Sequence, residues 1–163
     1  VARATIAWSD PAIIYEAHRA MPSLDLFRAM RAGDLPMEPA MALLGAEIES
    51  VGSGEVVFAL ELGERHLDHT GCLQSGVLAA LTDTAAGYAV HTMLPAGGRA
   101  ASIEFHVSVI APVTLGAGRI RIVGRAGHVG RRTAACEAVV TDMAGALHAT
   151  MGMTMMVLPG DPG

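Results

Sequence analysis

The sequence predicts an α+β fold in which one antiparallel sheet curls around a single long buried helix, with further helices at the N-terminus. Three observations lead there. From Leu73 to Leu94 the chain reads LQSGVLAALTDTAAGYAVHTML, apolar or small nearly throughout, and a helix that is apolar around most of its circumference belongs in an interior. Strand-like segments flank this stretch, a hairpin before it and four alternating segments after it. No helical pattern follows it, so the cover must come from the sheet.

The elements can be justified in order. Ser9 or Asp10 can cap a first helix, Pro11 suits its first turn, and Ile13, Ile14, Ala17 and Ala20 follow at helical spacing toward Met21-Pro22. Ser23 or Asp25 opens a second short helix through Leu26, Phe27 and Met30, stopped by Ala32-Gly33-Asp34 and by Pro36 and Pro39. Leu43 to Val51 and Glu55 to Leu62 read as a hairpin about Gly52-Ser53-Gly54, and a polar segment from Gly63 to Gly71 leads to the central helix. Beyond Pro95-Ala96-Gly97-Gly98, strands are expected at Ala100 to Ile110, Leu115 to Gly124, Val129 to Val140 and Ala146 to Leu158, with Gly127 and Asp142 to Gly145 as turns. This gives an N-terminal helical extension over 1–36, a main domain over 37–158 and a loose tail over 159–163.

Composition narrows the function. The 163 residues suffice for one domain with a real core. A hydrophobic fraction of 52% beside a charged fraction of 17% leaves little polar surface for a monomer, so a subunit interface is expected. The net charge is −5 and the 11 basic residues are arginines in no long run, which argues against nucleic-acid binding. Cys72 and Cys136 have neither disulfide-framework nor zinc spacing. With no basic-then-apolar leader at Val1, a cytoplasmic location is expected. The central stretch is long enough to span a bilayer, but an Asp at its midpoint alone costs about 2.5–3.5 kcal/mol there.

Asp83 is the only formally charged side chain in that stretch. A buried carboxylate persists when hydrogen-bonded, paired or protonated, and perturbed carboxylates gather at functional sites. Gly76, Ala79, Ala80, Asp83, Ala86 and Gly87 share one helix face of small residues, which is either close packing or room for a substrate beside the carboxylate. Gln74-Ser75-Gly76 open the helix, where unpaired N–H groups and the positive dipole end favour an anion, although Ser75 can equally be an ordinary cap. An acid and a pair of helix-terminal donors are the parts of acyl transfer. His66, Asp68 and His69 lie just upstream in a loop without fixed geometry and are not read as a metal site. Ser102 and Glu104 enter the next strand, placed to pair with groups near the helix. No nucleophile elbow, Walker loop or dinucleotide fingerprint occurs.

Several of these residues form a familiar pattern. Ala32-Gly33-Asp34-Leu35-Pro36, then His66-x-Asp68-x-x-Gly71-x-Leu73-Gln74-Ser75-Gly76-Val77-Leu78-Ala79-Ala80-Leu81-x-Asp83-Thr84-Ala85, then Ser102-Ile103-Glu104-Phe105, Ala111-Pro112 and Gly145-x-Leu147 resemble the hotdog-fold acyl-CoA thioesterases of the phenylacetate-pathway type, within the 4-hydroxybenzoyl-CoA thioesterase-like superfamily. The resemblance covers roughly residues 24–158. It implies a hotdog fold, a homodimer or dimer of dimers with active sites at the interface, and hydrolysis of an acyl-CoA carrying a small aryl or short to medium acyl group. It implies no separate cofactor, coenzyme A entering as part of the substrate, and no metal.

In the roles the resemblance implies, Asp83 attacks the thioester or activates water, and the backbone N–H of Ser75 or Gly76 polarises its carbonyl. Asp68 holds water or substrate, and Ser102 assists from across the interface. Gln74 replaces a histidine, Ser75 a glycine and Asp68 an asparagine of the usual pattern; if Asp68 approaches Asp83, one of the two has a raised pKa. His66, Gly71, Ala79 and Thr84 are expected to bind substrate, and Arg131 and Arg132, with Arg125, to meet coenzyme A phosphates. Two other functions fit the same fold: a hotdog enoyl-CoA hydratase or dehydratase using His66 or His69, and a non-catalytic acyl-CoA-binding module or sensor.

Overall fold

A computed structural model describes residues 1–158; the tail expected over 159–163 lies outside the described residues. Two N-terminal helices, α1 (Pro11–Ala20) and α2 (Ser23–Ala32), precede a short α3 (Pro39–Leu44). A hairpin of β1 (Ala46–Gly52) and β2 (Glu55–Glu61) leads to the central α4 (Ser75–His91), and β3 (Arg99–Val109), β4 (Arg119–Val129), β5 (Thr133–Asp142) and β6 (Leu147–Leu158) complete the chain. The strands form one antiparallel sheet in the order β1-β2-β4-β5-β6-β3. This is the hotdog architecture the sequence predicted, with the extra N-terminal helices.

The caps explain the helix starts. Asp10 accepts a hydrogen bond from the Ala12 N–H, with Pro11 in the first turn of α1. At α4 the cap is Gln74 rather than Ser75, its Oε1 accepting from the Val77 N–H at 3.0 Å.

Three boundaries differ from the sequence reading. Leu43 and Leu44 end α3 instead of opening β1, because Pro39 starts a helical turn and Gly45 closes it in the left-handed region at φ 75°. Leu115–Ala117 forms a 3-10 turn before β4. The strand then runs through Gly127, with a register shift between Ala126 and His128, so the reversal into β5 falls at Gly130 to Arg132. A bulge absorbs the glycine without ending the strand.

Leu78, Leu81, Ala85, Ala86 and Val90 of α4 join Phe58, Leu60, Ile120, Ile122, Ala138 and Val140 of the sheet in one buried core. Thr82, also buried, donates its hydroxyl to the carbonyls of Leu78 and Ala79, which removes the cost of an unpaired polar group. From the N-terminal extension, Leu26, Phe27 and Met30 of α2 belong to this core. Among the described residues no helix is long and apolar enough to cross a membrane.

The two sheet edges differ. Against β1 lies α2, and Arg31 Nε donates to the Glu49 carbonyl at 2.8 Å. The outer side of β3 is unpaired among the described residues, and Ile103, Phe105 and Val109 are exposed along it. A long apolar edge of this kind is a template for pairing with another strand.

Candidate active site

Asp83 stands two turns into α4, and it is half-buried rather than sealed inside. Ser102 Oγ donates to Asp83 Oδ1 at 2.8 Å. That contact is made within one chain, between β3 and α4. The register of β3 against β6 shifts between Ser102 and Glu104, and such a bulge re-aims a side chain beside a site. The other carboxylate oxygen is left to accept a proton or to attack.

The pair opens into a cavity of about 570 Å³. Thr84, Gly87 and Tyr88 of α4 form its floor, Leu26 and Phe27 of α2 one wall, and Ile14, Tyr15 and His18 of α1 its cover. Phe27 stacks on Tyr88 with ring centres 3.8 Å apart, and Phe58 meets the same ring edge-on at 5.4 Å. Glu38 also lines this cavity. Burial raises its carboxyl pKa and the charge of Asp83 adds to that, while a hydrogen bond from Tyr88 opposes it. The same burial and the Glu38 charge push the Tyr88 phenol well above its ordinary value.

A second cavity, about 340 Å³, lies at the start of α4 and is lined by Asp68, Cys72, Leu73, Ser75 and the β3 exit from Val109 to Val113. Gln74 satisfies the Val77 N–H, leaving the first-turn N–H groups of Ser75 and Gly76 without intrahelical acceptors. A Cβ on Gly76 would sit 2.8 Å from Gln74 Oε1, so glycine there permits the cap. Eight residues separate Ser75 from Asp83, roughly 12 Å along the axis. The acid and the donors of one chain therefore cannot meet on a single thioester carbonyl.

Residues 71–148 match the thioesterase superfamily. That match spans 78 of the 163 residues, from the loop before α4 to the start of β6. The fold is similar to a putative thioesterase related to phenylacetic acid degradation from Ralstonia eutropha, 25% identical over 80% of this chain and 98% of that one, TM-score 0.72. It is also similar to the PaaI protein of the E. coli phenylacetic acid degradation operon, 17% identical over 85% and 95% of the two chains, TM-score 0.73. A Streptococcus mutans protein with acetyl-CoA bound is 23% identical over 71% and 90%, TM-score 0.65. No curated protein sequence matches the chain.

The remaining sequence candidates fall in distinct places. Asp68 does not join Asp83; its Oδ1 accepts from the Thr70 N–H, the Thr70 hydroxyl and the Cys72 N–H. Those hydrogen bonds, led by the Thr70 hydroxyl, hold its carboxyl below the usual range. It shares the second cavity with Ser75, while Gly71 turns the exposed loop between them. Thr84 lines the Asp83 cavity, whereas Ala79 is half-buried on α4 and lines neither cavity. Arg131 and Arg132 are exposed at the β4–β5 turn, and the Arg132 carbonyl accepts from Val157. Arg125 is engaged with Glu55 at 2.7 Å. Cys136 is buried, its thiol pushed up to about 11 by burial, and supplies no thiolate nucleophile at neutral pH.

His66 is 1% exposed. Its Nδ1 accepts from the Gly63 N–H at 3.0 Å and its Nε2 lies 2.8 Å from the Leu44 carbonyl, which fixes the neutral tautomer with the proton on Nε2. Both nitrogens are spent on holding the loop to α3, so His66 positions the helix start instead of touching substrate, and it is not a free proton carrier for a hydratase. Burial lowers its pKa from 6.5; His91, packed at the end of α4, is lowered for the same reason. The unfolded chain therefore binds more protons as pH falls through 6.5, and stability present above that value is lost below it. Denaturant midpoints measured across this range are expected to drop on acidification, with a shallower drop in His66→Gln.

Sequence reasoning missed Glu38, Tyr88, Phe27 and His18 as cavity residues. Glu38 reads as a loop residue between Pro36 and Pro39, and no local pattern announces that the extension folds back over α4.

Proposed function

We propose that the chain hydrolyses an acyl-CoA thioester to the free acid and coenzyme A, at a site completed by a second copy of itself. The Ser102–Asp83 hydrogen bond at the mouth of an apolar cavity carries this reading. With Oδ1 engaged by Ser102, Oδ2 takes the proton of the attacking water or itself attacks the carbonyl. In either route the oxyanion is met by helix-terminal N–H groups at Ser75 and Gly76; in the first, protonated Asp83 returns its proton to the departing thiolate, and in the second the thiolate leaves a mixed anhydride that water cleaves to the free acid and Asp83, the water's proton balancing the thiol.

The dimer follows from where the two half-sites lie along one strand. Ala100 and Ser102, at the start of β3, line the Asp83 cavity, and Val109 to Val113, at and beyond its end, line the Ser75 cavity. Two β3 edges paired antiparallel about a two-fold axis set the start of one against the end of the other. The acid of one copy then faces the donors of its partner. The apolar edge at Ile103, Phe105 and Val109 supports this mode.

The acyl group enters the first cavity, whose volume and aromatic wall suit a small aryl or medium-length chain. Asp68 and Ser75 line the half-site where the thioester carbonyl of the partner's substrate sits. Arg131 and Arg132 are candidates for the phosphates. A panel of acyl-CoA thioesters with the released thiol followed directly is the test; failure to release coenzyme A from any of them overturns the reading. Sedimentation is expected to give a dimer or a dimer of dimers, and Phe105→Asp to give monomers with activity reduced at least about 100-fold. A fully active Phe105→Asp monomer would rule out a shared site.

A further inference from the structure

Glu38 occupies the position before α3, where a carboxylate ordinarily accepts from the helix's own first N–H groups. It makes no such bond. Instead the side chain turns toward Tyr88 and into the cavity that holds Asp83. Tyr88 is pinned by Phe27 and Phe58, so its hydroxyl fixes one side of the Glu38 carboxylate, a group able to accept several hydrogen bonds. Leu26, Pro39 and Met155 line the same cavity, so a hydrocarbon acyl chain filling it would leave the carboxylate under-satisfied at full cost.

Tyr88 lies five residues beyond Asp83 on α4, roughly 7–8 Å along the axis. A substrate with its thioester at Asp83 therefore lays its acyl group along the helix toward Glu38. We propose that Glu38 is a specificity-determining residue that accepts a hydrogen bond from a hydroxyl or amino group at the far end of the acyl chain. The enzyme thereby prefers acyl groups with a distal donor over hydrocarbon isosteres. This rests on the cavity being the acyl site of a thioesterase.

The test uses two substrates of equal length and shape, ω-hydroxyhexanoyl-CoA and heptanoyl-CoA, with wild type, Glu38→Gln and Glu38→Leu. Wild type is expected to favour the hydroxylated chain by about 10- to 100-fold in kcat/KM, the range of a hydrogen bond to a charged acceptor. Glu38→Leu is expected to lose that preference in KM, with kcat/KM for heptanoyl-CoA rising. Glu38→Gln, which still accepts, is expected to keep part of the preference. Turnover of both substrates without preference in wild type overturns the role of Glu38 and leaves thioester hydrolysis standing. Equal losses on both substrates in Glu38→Leu assign Glu38 to structure alone, and no turnover of any thioester overturns both readings.

Discussion

Replacing Asp83 by asparagine is expected to lower kcat about 10²- to 10⁴-fold, the usual contribution of a positioned proton acceptor, with little change in KM. Asparagine has the shape of the carboxylate and can still accept from Ser102, so the 2.8 Å contact and the cavity wall survive. What disappears is an oxygen that can take a proton or attack a carbonyl. Ser102→Ala separates orientation from chemistry: it removes the hydroxyl and is expected to reduce kcat by about tenfold, the worth of one charge-assisted hydrogen bond. Steady-state kinetics on one thioester with all three proteins makes the comparison. Wild-type kcat in Asp83→Asn, with the oligomer intact, would remove the acid from the mechanism.

The largest expected effect on stability comes from a position far from any chemistry. Gly124 lies in β4 beneath α4, and a Cβ there would fall 2.2 Å from the Ala85 carbonyl carbon and oxygen and 2.5 Å from the Ala86 nitrogen. These are backbone atoms in the middle of the central helix, so no rotamer change makes room. Gly124→Ala must push helix and sheet apart, and a loss of about 3 kcal/mol or more is expected, at the upper end for overpacking. Equilibrium denaturation measures it. A stability within 0.5 kcal/mol of wild type, roughly what a surface change costs, would mean that the helix does not sit this close to the sheet. Because Asp83 is two residues before Ala85, the separation should also weaken its contact with Ser102.

Much of this fold was legible because its signals are local. The apolar run around Asp83, the glycine turn between β1 and β2, and alternation such as Ile103, Phe105, Val107 and Val109 follow from the two periodicities of helix and strand. Boundaries were lost where a single residue type has two uses. Gly127 reads as a turn but is absorbed by a bulge, and Pro39 reads as a stop but starts α3.

The site divides similarly. Asp83 stands out as a charge in an apolar helix, and Ser102 follows once the next strand is laid beside it. The pairing of Glu38 with Tyr88 depends on a fold-back across fifty residues of sequence, and no spacing rule reaches that far. His66 was expected to bind substrate from its place before α4, whereas its burial and its two backbone partners are tertiary facts that no spacing announces.

The distance between the start of α4 and Asp83 has a consequence for how the protein is switched on. In the proposed dimer a lone chain holds half of each of two centres and completes neither, so newly made protein is inert until it meets a copy. Specific activity should then fall on dilution below the dimer dissociation constant. Mixing an excess of Asp83→Asn chains into wild type should leave dimers that retain one working centre of their two.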